Sequence, residues 1–222
     1  MSCVVSGKAS VQVNKSPGFL ASFGWWFLKF RNKPMKLSTA YISHPDCLKH
    51  AMSLGHPECP QRLEVIVAQL QACGLLNQLE CHEAPRATIA QLARVHSTDY
   101  IENVQQASPT SGLVYLDPDT AMNSYSLNAA LHAAGAVVLA AELVLSQQVE
   151  NAFCAVRPPG HHAESARAMG FCLFNNIAVG VAHALECYGL QRVAIVDFDV
   201  HHGNGTEEIF RDDERVMLCS TF

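Results

Sequence analysis

The sequence predicts an α/β protein built on a parallel sheet that is covered by helices on both faces. Short β-rich runs alternate with longer helical runs, and the strand candidates are apolar throughout rather than alternating. The predicted strands are residues 37–42, 152–156, 192–200 and 216–221. Continuously apolar strands that alternate with helices are typical of parallel sheets. Ligands of such sheets collect at the carboxyl ends of the strands.

Helical patterns fill the stretches between these strands. Residues 60–73 carry apolar side chains at helical spacing, and residues 88–96 and 98–106 each begin with a threonine that can cap a helix. Residues 126–147 are alanine-rich with few charges, which favours a helix packed against a sheet. A further helical stretch, residues 176–188, separates the second and third strands.

Composition bounds the kind of protein. A chain of 222 residues that is 49% apolar can bury one sizeable core, so we expect one domain over residues 35–222. The net charge of -5, with no run of basic residues, argues against direct binding to nucleic acid. Nine cysteines without CxxC pairs predict neither a disulfide framework nor a thiolate zinc site, but reduced, buried thiols in a cytoplasmic protein.

The first 34 residues differ from the rest. Residues 18–28 are apolar and lie between basic residues, but they are too few to span a bilayer. We expect residues 1–34 to be an extension outside the fold, with Met35 as an original start. An anchor at a membrane surface through Trp25 and Trp26 is the alternative.

The sharpest motif is VDFDVHHGNG, which begins inside the strand predicted at residues 192–200. Alternate residues of an extended chain share a face, so Asp197, Asp199 and His201 should point the same way. Carboxylate oxygen and neutral imidazole nitrogen are suitable ligands for zinc. A solvated strand-to-loop junction is the alternative, but unpaired charges are costly after a buried strand.

A second motif, RPPGHHAE, follows the strand predicted at residues 152–156 and so opens at the same rim. Its prolines brace a loop that presents His161 and His162 together. Histidine suits proton transfer near neutral pH when its neighbours fix its tautomer. One HH pair is often incidental, whereas two at strand ends of one sheet indicate a site.

These motifs, together with MGFC and FNN between them, resemble the histone deacetylase superfamily, in particular its class II and bacterial acetoin-utilisation or acetylpolyamine-amidohydrolase members. The likeness extends back through LDPDT, RVHSTDYI and HPECPQRL, and so covers nearly everything after Met35. It implies a three-layer arginase/deacetylase-like fold with a central parallel sheet flanked by helices. It also implies hydrolysis of N-acetyl amides of lysine or polyamines.

The resemblance assigns roles to the two motifs. Asp199 and His201 match two of the family's three zinc ligands, and His161 and His162 match its tandem catalytic histidines. In the implied mechanism zinc polarises the acetamide carbonyl and acidifies its bound water. His162 is then the general base and later protonates the leaving amine, while His161 acts as an electrostatic partner.

Further positions match supporting roles. Asp197 matches the acid that orients His161, and Asn204 lies behind His162, where other branches carry Asp; the amide should leave His162 less basic. Gly170 and Phe171 match the wall of the tunnel that takes the acyl-lysine stem, although most phenylalanines serve only in core packing.

At the rim, Asp119 resembles the acid that grips the substrate backbone, with Asp117 as a competitor. Arg62 resembles a buried family arginine, and a surface salt bridge is its alternative.

The family also holds a structural potassium ion through main-chain oxygens of the DxDxH strand and a serine on the next strand. The matching positions are Asp197, Asp199, His201 and Ser220.

The pattern departs from the family near Phe222. The third zinc-ligating Asp and the oxyanion-stabilising tyrosine have no match, so the resemblance predicts that the C-terminal part is missing and that activity is weak or absent. Two other readings stay open: a non-catalytic module that binds acyl groups, metal or protein partners, and a binuclear manganese ureohydrolase of the related arginase-like fold. Nothing in the sequence indicates an oligomeric state.

Overall fold

The computed structural model describes residues 3–6 and 38–221. Its strands are β1 (Cys3–Ser6), β2 (Thr39–Ser43), β3 (Glu80–Glu83), β4 (Val114–Asp117), β5 (Thr120–Met122), β6 (Asn151–Cys154), β7 (Val193–Asp197) and β8 (Val216–Ser220). Its helices are α1 (Asp46–Lys49), α2 (Gln61–Ala72), α3 (Ile89–Leu92), α4 (Thr98–Ala107), α5 (Ser126–Leu145), α6 (Asn176–Tyr188) and α7 (Asn204–Phe210), with a 3-10 turn at Leu76–Gln78.

Parallel pairing dominates the sheets, as predicted. Strands β3, β2 and β6 lie side by side in parallel, and β7 pairs in parallel with β8. The α/β class is therefore confirmed. The expectation of one continuous sheet is wrong for the described residues, because β6 and β7 belong to separate hydrogen-bonded sheets. A small antiparallel hairpin, β4–β5, forms a third.

The N-terminal stretch contributes one strand. β1 pairs antiparallel with the free edge of β6, although it belongs to the stretch expected outside the fold. Residues 7–37, including Trp25, Trp26 and Met35, lie outside the described residues. The domain boundary at residue 34 and the membrane-surface anchor therefore stay predictions.

Helix α5 is the centre of the core. Its small residues let it contribute to both apolar clusters, one with α4, α6 and β7 and the other with the four-stranded sheet. It is the one helix in the described residues that is long and apolar enough to cross a membrane, and 78% of that stretch is buried inside the molecule. Burial against the sheet and α6 accounts for its composition.

One face of the β7–β8 pair is not covered. Ile195 is buried, but Val196 is 61% exposed and Met217 on the neighbouring strand is 58% exposed. The predicted burial of the strands on both faces is therefore wrong for this pair.

The cysteines are only partly buried. The eight cysteines from Cys47 to Cys219 form no disulfide with one another. Those that are buried are Cys47, Cys154 and Cys172, whereas those that are exposed are Cys73, Cys81, Cys187 and Cys219. The expectation of uniformly buried thiols is wrong.

Candidate functional site

The loop that carries the paired histidines starts where β6 ends and is anchored by Arg157. This arginine is fully buried, and its Nε and Nη2 lie 2.5 Å from the two carboxylate oxygens of Glu58. Its Nη1 donates to the carbonyls of Cys47 and His50, each at 2.9 Å. A buried guanidinium with all three nitrogens engaged fixes the start of the loop.

His161 is tied to the end of β7. Its Nδ1 lies 2.8 Å from Oδ2 of Asp197, and both side chains are nearly inaccessible to solvent. Burial opposes ionisation of Asp197, but the hydrogen bonds from His161 and from the N–H of Asp199 outweigh it and lower the pKa of Asp197. The ionised carboxylate accepts the Nδ1 proton of His161 and fixes the orientation of its ring.

His162 has an amide partner in place of a carboxylate. Its Nδ1 lies 2.8 Å from Oδ1 of Asn204, whose Nδ2 donates to Glu164 at 3.0 Å. That second bond fixes the orientation of the amide, so the oxygen faces His162 and the Nδ1 of His162 must donate. Burial lowers the pKa of His162, which keeps the ring neutral near pH 7 with Nε2 as a proton acceptor.

The rings of His161 and His162 are adjacent, with centroids 4.0 Å apart, and the ring of His201 lies 6.0 Å from that of His162. The two motifs therefore meet across the gap between the sheets, as their strand-end positions predicted.

Asp199 and His201 are brought together by a bend in the chain and not by the extended strand that was predicted. Strand β7 ends at Asp197, not at residue 200, and the chain then bends. The cause is local: Asp197 accepts the N–H of Asp199 at 3.1 Å, and Asp199 accepts the N–H of His201 at 2.8 Å. Such side-chain bonds to the backbone compete with strand pairing. They leave Nδ1 of His201 at 3.1 Å from Oδ1 of Asp199.

The glycines after His202 serve close packing. A Cβ on Gly203 would overlap the carboxylate of Asp197, and one on Gly205 would overlap the carbonyl of Ala163. The absence of a side chain at Gly203 and Gly205 lets these chain segments pack at that distance.

Gly170 and Phe171 lie beside the second histidine. Gly170 has φ of 56°, and a Cβ there would overlap the ring of His162. Phe171 also has a positive φ, 69°, which is unusual for a residue of this size. Its ring packs edge-to-face on His56 with centroids 4.6 Å apart, so it is not an ordinary core phenylalanine.

The hydroxyl of Thr120 holds Phe171 in place. This buried oxygen accepts the N–H of Phe171 at 3.0 Å and donates to Asp119 at 3.2 Å. Asp119 is exposed, as a rim acid should be. Its competitor Asp117 instead accepts two backbone N–H groups in the β4–β5 turn. Sequence reasoning did not single out Thr120.

Ser220, the residue matched to the potassium site, ends β8. Its Oγ is buried and has no hydrogen-bond partner among the described residues. An orphaned buried hydroxyl of this kind fits an oxygen ligand of a hard cation.

Arg62 does not occupy a buried position. It lies exposed on α2, and the fully buried arginine is Arg157. Arg157 is the first residue of the RPPGHH motif, but the resemblance to the family did not assign it a role. Its partner Glu58 lies 99 positions earlier, a separation that no local pattern reveals.

Comparison with known proteins accounts for this arrangement. Residues 56–222 match the model of the histone deacetylase domain. The chain is 37% identical over 185 residues to a probable deacetylase of Archaeoglobus fulgidus, covering 82% of this chain and 51% of that protein. It is 40% identical over 161 residues to a histone deacetylase-like amidohydrolase of Pseudomonas aeruginosa, covering 72% and 42%.

Two further matches agree. The polyamine deacetylase HDAC10 of Rattus norvegicus is 38% identical over 199 residues, covering 83% of this chain and 33% of that protein. The crystal structure of the HDA15 HD domain superposes with a TM-score of 0.79 at 39% identity, covering 83% of this chain and 54% of the other. The chain thus spans about half or less of the length of these relatives. Since the matched stretch contains both histidines of the anchored loop and the acidic end of β7, this chain belongs to the histone deacetylase family.

Proposed function

We propose that the chain carries a zinc-dependent site for hydrolysis of N-acetyl amides. One observation supports this most directly: two adjacent imidazoles are each fixed through Nδ1 by a side-chain oxygen, next to the Asp199–His201 pair. Fixed tautomers beside a carboxylate–imidazole pair are the arrangement that metal-assisted hydrolysis needs.

Asp199 and His201 are suited to hold zinc. Their facing atoms, Oδ1 and Nδ1, are 3.1 Å apart. Two ligands of a tetrahedral zinc ion with bonds of about 2.0–2.2 Å are separated by about 3.3–3.6 Å, so a small adjustment suffices. Zinc bound there would supply Lewis-acid chemistry, by polarising an acyl carbonyl and acidifying water.

His162 is the proposed general base. Its Nδ1 proton is committed to Asn204, and its lowered pKa leaves Nε2 free to take a proton from water at neutral pH. The same nitrogen would return that proton to the amine as the amide bond breaks. His161, held by ionised Asp197, would act as a hydrogen-bonding and electrostatic partner.

The proposed substrate is an N-acetylated primary amine, either acetyl-lysine or an acetylpolyamine. Phe171 and Gly170 would line the acyl stem next to His162, and Asp119 would bind a polar group at the rim. The names of the relatives, a polyamine deacetylase and a histone deacetylase-like amidohydrolase, support the class without choosing within it. A structural potassium ion held near Ser220 by main-chain oxygens of Asp197, Asp199 and His201 is part of the same proposal, supported by the orphaned hydroxyl.

Among the described residues we assign two zinc donors at this site, Asp199 and His201, and because two protein donors hold zinc less tightly than three, we expect weak zinc binding and slow hydrolysis. Zinc binding is measured by calorimetric titration of the purified chain and of the double variant Asp199→Asn and His201→Ala. The rate of hydrolysis is measured at saturating zinc with two substrates, an acetyl-lysine peptide and an N-acetylated diamine.

His162→Ala should lower the rate by about a hundredfold or more, whereas His183→Gln, on the far side of α6, should leave it unchanged. The proposal is wrong if replacing both donors does not reduce the number of zinc equivalents bound, or if His162→Ala hydrolyses as fast as the unaltered chain. Zinc binding with no hydrolysis at all would favour the non-catalytic binding module.

A further inference from the structure

A second group of potential metal ligands lies away from the paired histidines. His44 directly follows β2, Asp46 opens α1, and His132 lies on α5. Their side chains are 14%, 15% and 10% exposed, and one ligand atom from each lies within 4.8 Å of the others. The proposed deacetylase reaction uses none of them.

Each imidazole directs one nitrogen toward Asp46 and binds a protein acceptor with the other. His132 Nδ1 is 2.7 Å from the carbonyl oxygen of Ala84 and must donate to it, so Nε2 keeps its lone pair. His44 Nε2 is 3.1 Å from the carboxylate of Glu83. The remaining nitrogens, His132 Nε2 and His44 Nδ1, each lie 3.9 Å from Oδ2 of Asp46.

This is the hydrogen-bonding pattern found around metal-binding histidines, in which the distal N–H donates to a carbonyl or a carboxylate. His44 Nδ1 also accepts the N–H of Asp46 at 3.1 Å, a bond that a bound ion would replace. That N–H lies in the first turn of α1, where donors without a helical partner are normal.

Asp46 supplies the one carboxylate of the group, and Lys49 binds only one of its two oxygens. Lys49 donates to Oδ1 of Asp46 at 2.7 Å, and this bond is the main reason that the pKa of Asp46 is lowered. Oδ2 accepts a weaker bond from Asn128 at 3.3 Å and stays available. Metal binding uses a neutral imidazole, and the bond from His132 Nδ1 to the carbonyl of Ala84 leaves Nε2 as the nitrogen that faces Asp46.

The donor set selects the metal. Two imidazole nitrogens and one carboxylate oxygen suit zinc, cobalt, nickel and copper, whereas magnesium and calcium prefer oxygen ligands alone. The rings of His44 and His132 are stacked, with centroids 3.4 Å apart and planes 6° from parallel. They must tilt apart for both lone pairs to reach one ion.

We propose that His44, Asp46 and His132 form a second metal site, for a divalent transition metal of the zinc class. The ion joins the end of β2, α1 and α5 at the same rim as the proposed active site, because β2 and β6 are adjacent parallel strands. Its loading therefore stabilises the chain segment around α1 that also supplies two carbonyls to Arg157.

The test removes the proposed catalytic zinc donors first. In the chain carrying Asp199→Asn and His201→Ala, Co²⁺ is titrated by calorimetry and by its visible absorption, then displaced with Zn²⁺. We expect one equivalent to bind, and at least a tenfold weaker affinity after His132→Gln or Asp46→Asn. His183→Gln, which alters another histidine–carboxylate pair, is the matched control and should change nothing.

Circular dichroism without metal establishes that each variant is folded, and metal should raise the melting temperature of the background chain but not of its His132→Gln form. The site does not exist if the background chain binds no Co²⁺, or if both His132→Gln and Asp46→Asn bind it as before. Because Asp199 and His201 are already replaced, failure of the proposed deacetylase site leaves this result unaffected.

Discussion

His96 shows how a single buried side chain stabilises the loops around the site. It is 3% exposed, its Nδ1 donates to the carbonyl of Glu164 at 3.0 Å, and its Nε2 accepts the N–H of Asn175 at 2.9 Å. Acceptance at Nε2 requires a neutral ring. Burial accordingly lowers the pKa of His96 to about 4 from 6.5.

We therefore expect stability to fall with acid below neutrality. Between pH 6.5 and about 4 the unfolded chain binds a proton at His96 that the folded chain refuses. The stabilisation is complete above pH 6.5 and decreases as the pH falls, by up to about 1.4 kcal/mol per pH unit. Urea denaturation at several pH values measures it. If the free energy of unfolding of His96→Gln falls as steeply with pH, the effect comes from other groups, such as His132 and His183.

The buried pair of Glu58 and Arg157 predicts a different acid response. Burial opposes ionisation of Glu58, but the nearby His50 ring, whose Nε2 is 3.3 Å from Oε2, and the hydrogen bonds from Arg157 outweigh it and lower the pKa of Glu58 to about 2. Its contribution is therefore complete above about pH 4.5 and is lost only as the pH falls toward 2.

Glu58→Gln should lower the free energy of unfolding at pH 7 by about 3–5 kcal/mol, because it leaves the Arg157 guanidinium buried without a counter-charge. The exposed pair of Arg215 and Asp213 is the control, and Asp213→Asn should cost less than about 1 kcal/mol. Chemical denaturation gives both values. If Glu58→Gln and Asp213→Asn lower the free energy of unfolding equally, burial of the Glu58–Arg157 pair does not increase its contribution.

Two glycines set the spacing of elements around α5. A Cβ on Gly135 would overlap the carbonyl oxygen of Pro85, and one on Gly180 of α6 would lie 2.5 Å from Cγ1 of Val137. In an isolated helix Gly→Ala stabilises by about 1 kcal/mol. Here the close contacts with Pro85 and Val137 oppose that gain and decide whether the substitution stabilises or destabilises the protein.

We expect Gly135→Ala to destabilise the protein by more than about 2 kcal/mol, since a backbone carbonyl cannot move aside without displacing the segment before α3. Gly180→Ala should cost less, because Val137 is a side chain. The change in urea midpoint of each variant measures this order. Stabilisation by Gly135→Ala would show that the two segments separate easily.

Element type was predictable where a pattern is local. Helix α6 has the predicted bounds, and α5 ends two residues before its prediction, because periodicity and composition are read within one stretch. The end of β7 was not predictable in this way, since the carboxylates of Asp197 and Asp199 capture backbone N–H groups and bend the chain. The helix predicted over residues 88–96 shrinks to the single turn Ile89–Leu92, with Thr88 as its N-cap and Ala93 as its C-cap.

The site residues were identifiable from motifs, but their partners were not. His161 and Asp197 were expected to meet, and they do at 2.8 Å. By contrast, the bond from the N–H of Phe171 to Thr120 spans 51 positions and depends on a left-handed backbone that no residue pattern marks. Long-range polar contacts follow from the packed fold rather than from local sequence.

At the scale of the molecule, one apolar face of the β7–β8 pair is uncovered. This is the largest difference from the prediction that helices cover both faces of the sheet. In the described residues β7 and β8 pair as strands only with each other, and Val196, Met217 and Phe198 are 61%, 58% and 71% exposed. An open strand edge beside an apolar surface is a template for association with other chains.

The purified chain should therefore self-associate through this face. Sedimentation velocity over a range of concentrations should show oligomers, and the double variant Val196→Lys with Met217→Glu should shift them to monomer. Val65→Lys is the matched control, because Val65 is equally exposed, at 63%, but lies on α2 away from the sheet. If the double variant associates as strongly as the unaltered chain, or if Val65→Lys has the same effect, the contacts lie elsewhere.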